Sequence, residues 1–202
     1  MKVAPIACSR LSTAVVALIL FVISARAQAP EMENSVKPGD SEIHRLCVAD
    51  QNDRHGIMSK GKAEWEQMAQ RDLERRKRAK EIYLSGGLVS GRDFFDAALI
   101  LQHSDSSDDY LLAHVLCTVA IVKGNAEARW LSAATLDRYL QTIQQKQIFG
   151  TQYQQADQKE YTSEPYNPKL LTDAIRKALD VPTLEQQKKD LETYNKTVPG
   201  SH

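Results

Sequence analysis

The stretch Tyr110–Val122, YLLAHVLCTVAIV, decides the fold, because only His114 and Thr118 interrupt thirteen residues of apolar or aromatic character. A helix that is apolar on every side has to be enclosed by other elements. Thirteen helical residues span about 20 Å, short of the roughly 20 residues that a membrane crossing needs. The stretch therefore reads as the central core helix of a soluble domain. Polar clusters flank it: Gln102-His103-Ser104-Asp105 on one side, Asp137-Arg138 and Gly150-Thr151-Gln152 on the other.

Working outward, Gly124 ends this helix and Asn125 is suited to cap the next, Ala126 to Ile143, whose Trp130, Leu131, Ala134, Leu136, Tyr139, Leu140 and Ile143 cover more than one stripe. Two long helices joined by so short a turn form an antiparallel helical hairpin. Its alternation of small and bulky residues resembles a tetratricopeptide-type unit, although no second copy follows at a fixed period. Upstream, three helices are expected. One starts at Asp40 or Ser41 with Ile43, Leu46 and Cys47 inside; a second runs from Ala63 to Ser85; a third runs from Arg92 to Gln102 with Phe94, Phe95, Ala98, Leu99 and Leu101 as its packing face. Downstream, a Gln-rich loop of more than twenty residues precedes a helix beginning at Asn167-Pro168 and stopping at Val181-Pro182. Thr183 and Gln186 then form a capping box for the last helix. No alternating run is long enough for a convincing strand. The expected fold is all-α, a single-domain bundle of about six helices built on antiparallel hairpins, over residues 40–196 with a frayed tail at 197–202.

The N-terminus reads differently. Lys2 and Arg10 precede an apolar run, Leu11 to Ile23, that ends in Ala25-Arg26-Ala27, the pattern of a signal peptide cut after Ala27. Residues 1–27 would then be removed, 28–39 would form a polar disordered leader, and the product would be periplasmic or secreted, with no membrane contact after cleavage. The whole chain carries 26 basic and 26 acidic residues. Removing Lys2, Arg10 and Arg26 leaves a slight acidic excess, which gives no general attraction for nucleic acid. The run Arg75-Arg76-Lys77-Arg78 is accompanied on its own helix by Glu64, Glu66, Asp72, Glu74 and Glu81, so it reads as a solvated helix face. Cys47 and Cys117 survive cleavage. They either pair, closing a loop of about seventy residues for ~4 kcal/mol, or act as small hydrophobes on apolar helix faces. The sequence leaves both open.

Charged residues interrupt two apolar stripes: Asp50 and Arg54 continue the Ile43–Cys47 face, and Asp72 and Arg76 continue that of Trp65, Met68 and Ala79. Leaving them buried without partners would cost several kcal/mol apiece, so they must meet one another, water or a ligand. The order Asp50-x-x-x-Arg54, Asp72, Gln102-His103-x-Asp105, Asp137-Arg138 and Gln147-x-Phe149-Gly150-Thr151-Gln152 resembles an exported bacterial domain family of unknown function with QHxD-like and DR…Q-(Tyr/Phe)-GTQ motifs. The resemblance covers Ile43 to Gln152, and GTQ is its most specific block. The chain departs from the pattern at Gln144, where glycine is usual, and at Lys146, often proline. The resemblance implies site residues and no reaction.

In chemical terms, His103 and Asp105 could form an acid–base pair, with Asp137 and Arg138 as further catalytic candidates. They could equally be a helix end and a turn, or two of the three or more ligands a metal would need. Asp50, Arg54, Asp72, Gln102, Thr151 and Gln152 are the candidate ligand contacts. All are expected to converge on one polar cavity beside the core helix, covered by the loop carrying Gly150 to Gln152. No serine stands in a nucleophile-elbow context, and no phosphate loop or Cys/His metal spacing is present, so no cofactor is implied. Three functions remain in view: binding of a small ligand or peptide, a hydrolase using His103 and Asp105, and a helical interaction module.

Overall fold

A capping box starts the helix on which the others are hung: the Ser90 hydroxyl accepts from Asp93 N and the Asp93 carboxylate accepts from Ser90 N. That helix, α3 (Gly91–Leu101), follows α1 (Glu42–Arg54) and α2 (Lys62–Leu84) and precedes α4 (Ser107–Val122) and α5 (Ala128–Thr142). Two short strands, β1 (Gln154–Gln155) and β2 (Tyr161–Thr162), pair antiparallel before α6 (Asp173–Ala178) and α7 (Leu184–Thr197). The computed structural model describes residues 36–55, 61–155 and 160–197. The expected signal peptide, most of the leader, and residues 198–202 of the tail lie outside them. The architecture is an all-α helical bundle.

The hub is α3, which packs against α1, α2, α4 and α5. Phe95 and the unbroken run Ala97–Leu101 are buried, together with Ile43, Cys47, Ala79, Ile82, Ala113, Leu116, Cys117 and Leu131 from its neighbours. The expectation that the Tyr110–Val122 helix is enclosed on all sides is corrected here. Its Ala113, Leu116, Cys117 and Ala120 face the core, but Leu111, Val115 and Val122 are exposed. It lies in a layer between α3 and α5, one face outward. Its end is set by Gly124, at φ +88°, where Asn125 N reaches back to Ala120 O at 2.9 Å and closes the helix through a left-handed residue. The same ending recurs after α5 with Gln144 in the left-handed position, φ 60°, and Gln145 N on Leu140 O at 2.7 Å. Glycine would suit that position better, since a side chain there costs roughly 1 kcal/mol.

The segment after α5 departs most from expectation. The helix begins at Asp173, capped by the Thr172 hydroxyl, and not at Pro168. The described residues on either side of the strand turn are tied together: Gln147 and Tyr166 form a parallel bridge, and Gln147 Nε2 donates to Gln152 O at 2.9 Å and to Ser163 O. A second, smaller core of Ala133, Phe149 and Val181, flanked by Trp130, Leu136, Ile148, Leu171 and Leu179, packs this segment onto the far side of α5. Half of the Thr183 box is present, with Gln186 N on the Thr183 hydroxyl at 3.3 Å.

Asp96, fully buried on α3, joins α1 to the hub by accepting from Arg92 Nε at 2.9 Å and standing 2.7 Å from His44 Nδ1. The run Arg75–Arg78 is only in part the solvated face its composition suggests, with Lys77 and Arg78 exposed. Arg75 is buried against Asp72 and Asp53, and Arg76 points at the end of α3, while Arg78 pairs with Glu42 and Glu81 at the surface.

Cys47 and Cys117 are free, buried thiols, and the disulfide alternative does not hold. Burial pushes both thiols up, and the Asp96 and Asp50 carboxylates push Cys47 further, which suppresses the thiolate that disulfide exchange requires. Both thiols are expected to resist alkylation in the native protein and to react completely in guanidinium without reductant, as read by mass spectrometry.

Candidate functional site

The sequence-predicted residues fall into two groups that meet at the end of α3. The first is an ion-pair chain between α1 and α2. Arg54 Nη2 lies 2.8 Å from Asp72 Oδ2 and its Nη1 lies 2.9 Å from Asp50 Oδ1, a turn earlier on its own helix. Asp72 continues to Arg75 at 3.1 Å, Arg75 to Asp53, and Asp53 to Arg71 at 2.7 Å. The interrupted stripes thus meet each other, as the desolvation argument requires.

The second group is built on Asp137 and the GTQ block. Asp137, fully buried, accepts from Ile148 N at 2.9 Å, Phe149 N at 3.0 Å, and both the backbone and hydroxyl of Thr151 at 2.9 and 2.8 Å. On the other side of the loop the Phe149 carbonyl accepts from Arg176 Nη1 and Gln187 Nε2, both at 2.7 Å. Gly150 has φ +72°, and a Cβ there would stand 2.7 Å from the Tyr166 ring, so only glycine fits. Asp137, Gly150 and Thr151 therefore act as a brace that fixes backbone.

Arg138 faces the opposite way from Asp137, as adjacent helical residues must. Its Nη1 donates to the backbone carbonyl of Gln102 at 2.6 Å and its Nε to Gln152 Oε1 at 2.9 Å. From α2, Arg76 Nη1 donates to the His103 carbonyl at 2.9 Å. Two guanidinium groups thus take carbonyls at the C-terminal end of α3, where the helix dipole is negative. Among the described residues neither Arg76 nor Arg138 has a carboxylate within 4.0 Å.

The expected His103–Asp105 pair does not form. Asp105 is exposed, whereas His103 Nε2 stands 3.5 Å from Asp50 Oδ2, too far for a direct hydrogen bond. Burial first, then the fields of Arg54, Arg138, Arg76 and Arg75, holds the imidazole well below its usual range, so it is neutral near pH 7. Burial raises Asp50 to about 7, with Arg54 opposing the shift. Gln102 is fully buried, and neither its amide nitrogen nor its amide oxygen has a hydrogen-bond partner; His103 Nε2 shares that condition. Arg138 is lowered to about 10, again by burial first.

Sequence reasoning missed Asp53, Arg75, Tyr166, Arg176 and Gln187 as parts of this framework. It also missed His44 and Asp96, which no motif marks. A cleft of about 380 Å³ opens at that other end of α3, lined by Asp40, Ser41, His44, Ser90, Arg92 and Asp93. Among the described residues no cluster of His, Cys, Asp and Glu is placed to hold a metal ion, and no helix is long and apolar enough to cross a membrane. No protein-family model, curated protein or solved structure matches the chain.

Two outcomes follow from this geometry. Asp137→Ala removes the acceptor of three backbone N–H groups and should lower the unfolding free energy by about 3–5 kcal/mol, against about 1 kcal/mol for Thr151→Val, in urea titrations. Asp50 stands above its ordinary 3.8 in the folded state, so at intermediate pH the unfolded chain has released a proton that the folded chain keeps. Its contribution to stability should decline as pH rises from about 4 to about 7 and be level outside that window. The wild-type stability minus that of Asp50→Asn, measured across that range, should fall correspondingly.

Proposed function

We propose that this is an exported helical protein that binds a small polar ligand or a peptide end at the C-terminus of α3, with Gln102, His103, Asp50, Arg54, Asp72, Arg138 and Gln152 around it. The observation that carries the reading is Gln102. An amide buried to zero exposure with both polar atoms unpartnered costs a few kcal/mol, and an apolar residue of the same size would be the more stable choice. A polar residue kept at such a cost is the mark of a group held ready for something outside the fold.

A hydrolase reading has one observation in its favour, the approach of His103 to Asp50, and with Asp105 exposed it would draw on Asp50 as the carboxylate. The interaction-module reading draws on the exposed Leu111, Val115 and Val122 of α4.

Gln102→Met separates a binding role from a structural one. The variant should be more stable than the wild type by about 1–2 kcal/mol in urea, because the orphaned amide is removed. It should also lose the ligand-induced thermal shift that a library of small polar metabolites and short peptides gives with the wild type. A variant that is less stable and binds as before would overturn the proposal.

A further inference from the structure

We infer that the ligand at the end of α3 is recognised through an oxyanion, a carboxylate or a phosphate group, which supplies the counter-ion that Arg138 and Arg76 lack. The inference rests on the binding role proposed above and adds the chemical class of the ligand.

The ion-pair chain between α1 and α2 is balanced locally: Arg54, Arg71 and Arg75 share Asp50, Asp53 and Asp72. Arg138 and Arg76 stand outside it. Arg138 is 6% exposed, yet its partners are a neutral amide oxygen and a backbone carbonyl. Burial is the first cause that lowers its ionisation, Arg54 lowers it further, and the Tyr110 hydroxyl opposes the shift. A buried guanidinium with no anion beside it is unfavourable by several kcal/mol. The end of α3 offsets part of this, but a helix terminus is worth about half a negative charge, set here against two arginines.

Capping explains where the two side chains point. It does not explain why both are cationic, nor why the Gln102 amide and His103 Nε2 beside them are left without partners. An oxyanion accounts for the two charges, for the Gln102 amide nitrogen and for His103 Nε2. It neutralises the guanidinium groups, whose planar donor forks suit carboxylate and phosphate, and it accepts from the Gln102 amide nitrogen. His103 is neutral and can present a ring N–H to the same anion, while the Asp50 oxygen that faces it at 3.5 Å accepts from Gln51 Nε2 and the other Asp50 oxygen pairs with Arg54.

The experiment is a titration of the purified full chain followed by NMR of the Arg138 Nε–H and the His103 ring, at ionic strength matched with sodium chloride. The probes are acetate and succinate in one arm, inorganic phosphate and glycerol phosphate in a second, and glucose and putrescine as neutral and cationic controls. At least one anionic arm is expected to shift both resonances saturably, and the arm that does so assigns carboxylate or phosphate. The apparent Kd should weaken at least tenfold in Arg76→Gln. Arg138→Lys, which keeps the charge and loses the fork, should weaken it as well if Arg76→Gln fails to fold. Shifts produced equally by glucose or putrescine and unchanged in Arg76→Gln would overturn the oxyanion while leaving a binding site in place. No shift from any probe would overturn the oxyanion, and the binding proposal would then be judged by Gln102→Met alone.

Discussion

The end of α3 is the constraint on which the rest of the structure depends. A helix leaves its last carbonyls unpaired, and in a buried helix they cannot turn to water. Here Arg138 from α5 takes the Gln102 carbonyl and Arg76 from α2 takes that of His103. The carbonyls of Ala98, Ile100 and Leu101 are closed by the backbone N–H groups that follow, and the two arginine hydrogen bonds just beyond them set the positions of α2 and α5 against α3. Its other end is handled in the same way, with Ser41 donating to Asp93 and His44 reaching Asp96 from α1. A helix apolar in its second half and polar at both termini can be central because its neighbours supply the polar partners.

That arrangement explains which features could be read in advance. The helical class, the hairpin turn at Gly124 and the burial of Cys47 and Cys117 follow from local pattern, and local pattern is what a sequence displays. The choice of hub was misread for the same reason. Residues 110–122 look more uniformly apolar than α3, yet Leu111, Val115 and Val122 face outward, while Asp93 and Asp96 of α3 are buried. Burial of the two aspartates depends on Ser41, His44 and Arg92, and the first two lie about fifty residues earlier, so no window along the chain contains the pairing. His103 offers the same lesson: Asp105 is near in sequence and exposed, whereas Asp50 is distant in sequence and adjacent in space.

The C-terminal third shows a different limit. The apolar residues between Leu170 and Leu179 suggested a helix from Pro168, but Leu171 and Leu179 are used to cover Phe149 and Val181, and only Asp173–Ala178 is helical. Arg176, the largest fully buried side chain among the described residues, gives its guanidinium to the carbonyls of Ile148 and Phe149. Together with Asp137 it clamps one short loop from both sides, and the clamp makes Gly150 obligatory through contact with Tyr166. The GTQ block was visible in sequence as a motif. Its role as a brace was not, because the acceptor and donors that fix it come from three other segments.

Asp137 and Arg138 make the division of labour concrete. They are adjacent on one helix, and the turn of about 100° between them sends one side chain to each face. Asp137 has all its acceptor capacity engaged by backbone N–H groups and the Thr151 hydroxyl. Arg138 has neutral partners and, among the described residues, no carboxylate within 4.0 Å. The brace fixes Gln152, Gln152 holds the Arg138 Nε, and Arg138 is thereby held rigid beside Gln102 and His103. In the binding role proposed for this end of α3, rigid placement of the Arg138 donor lowers the ordering cost, because the groups that would meet a ligand are already fixed before it arrives.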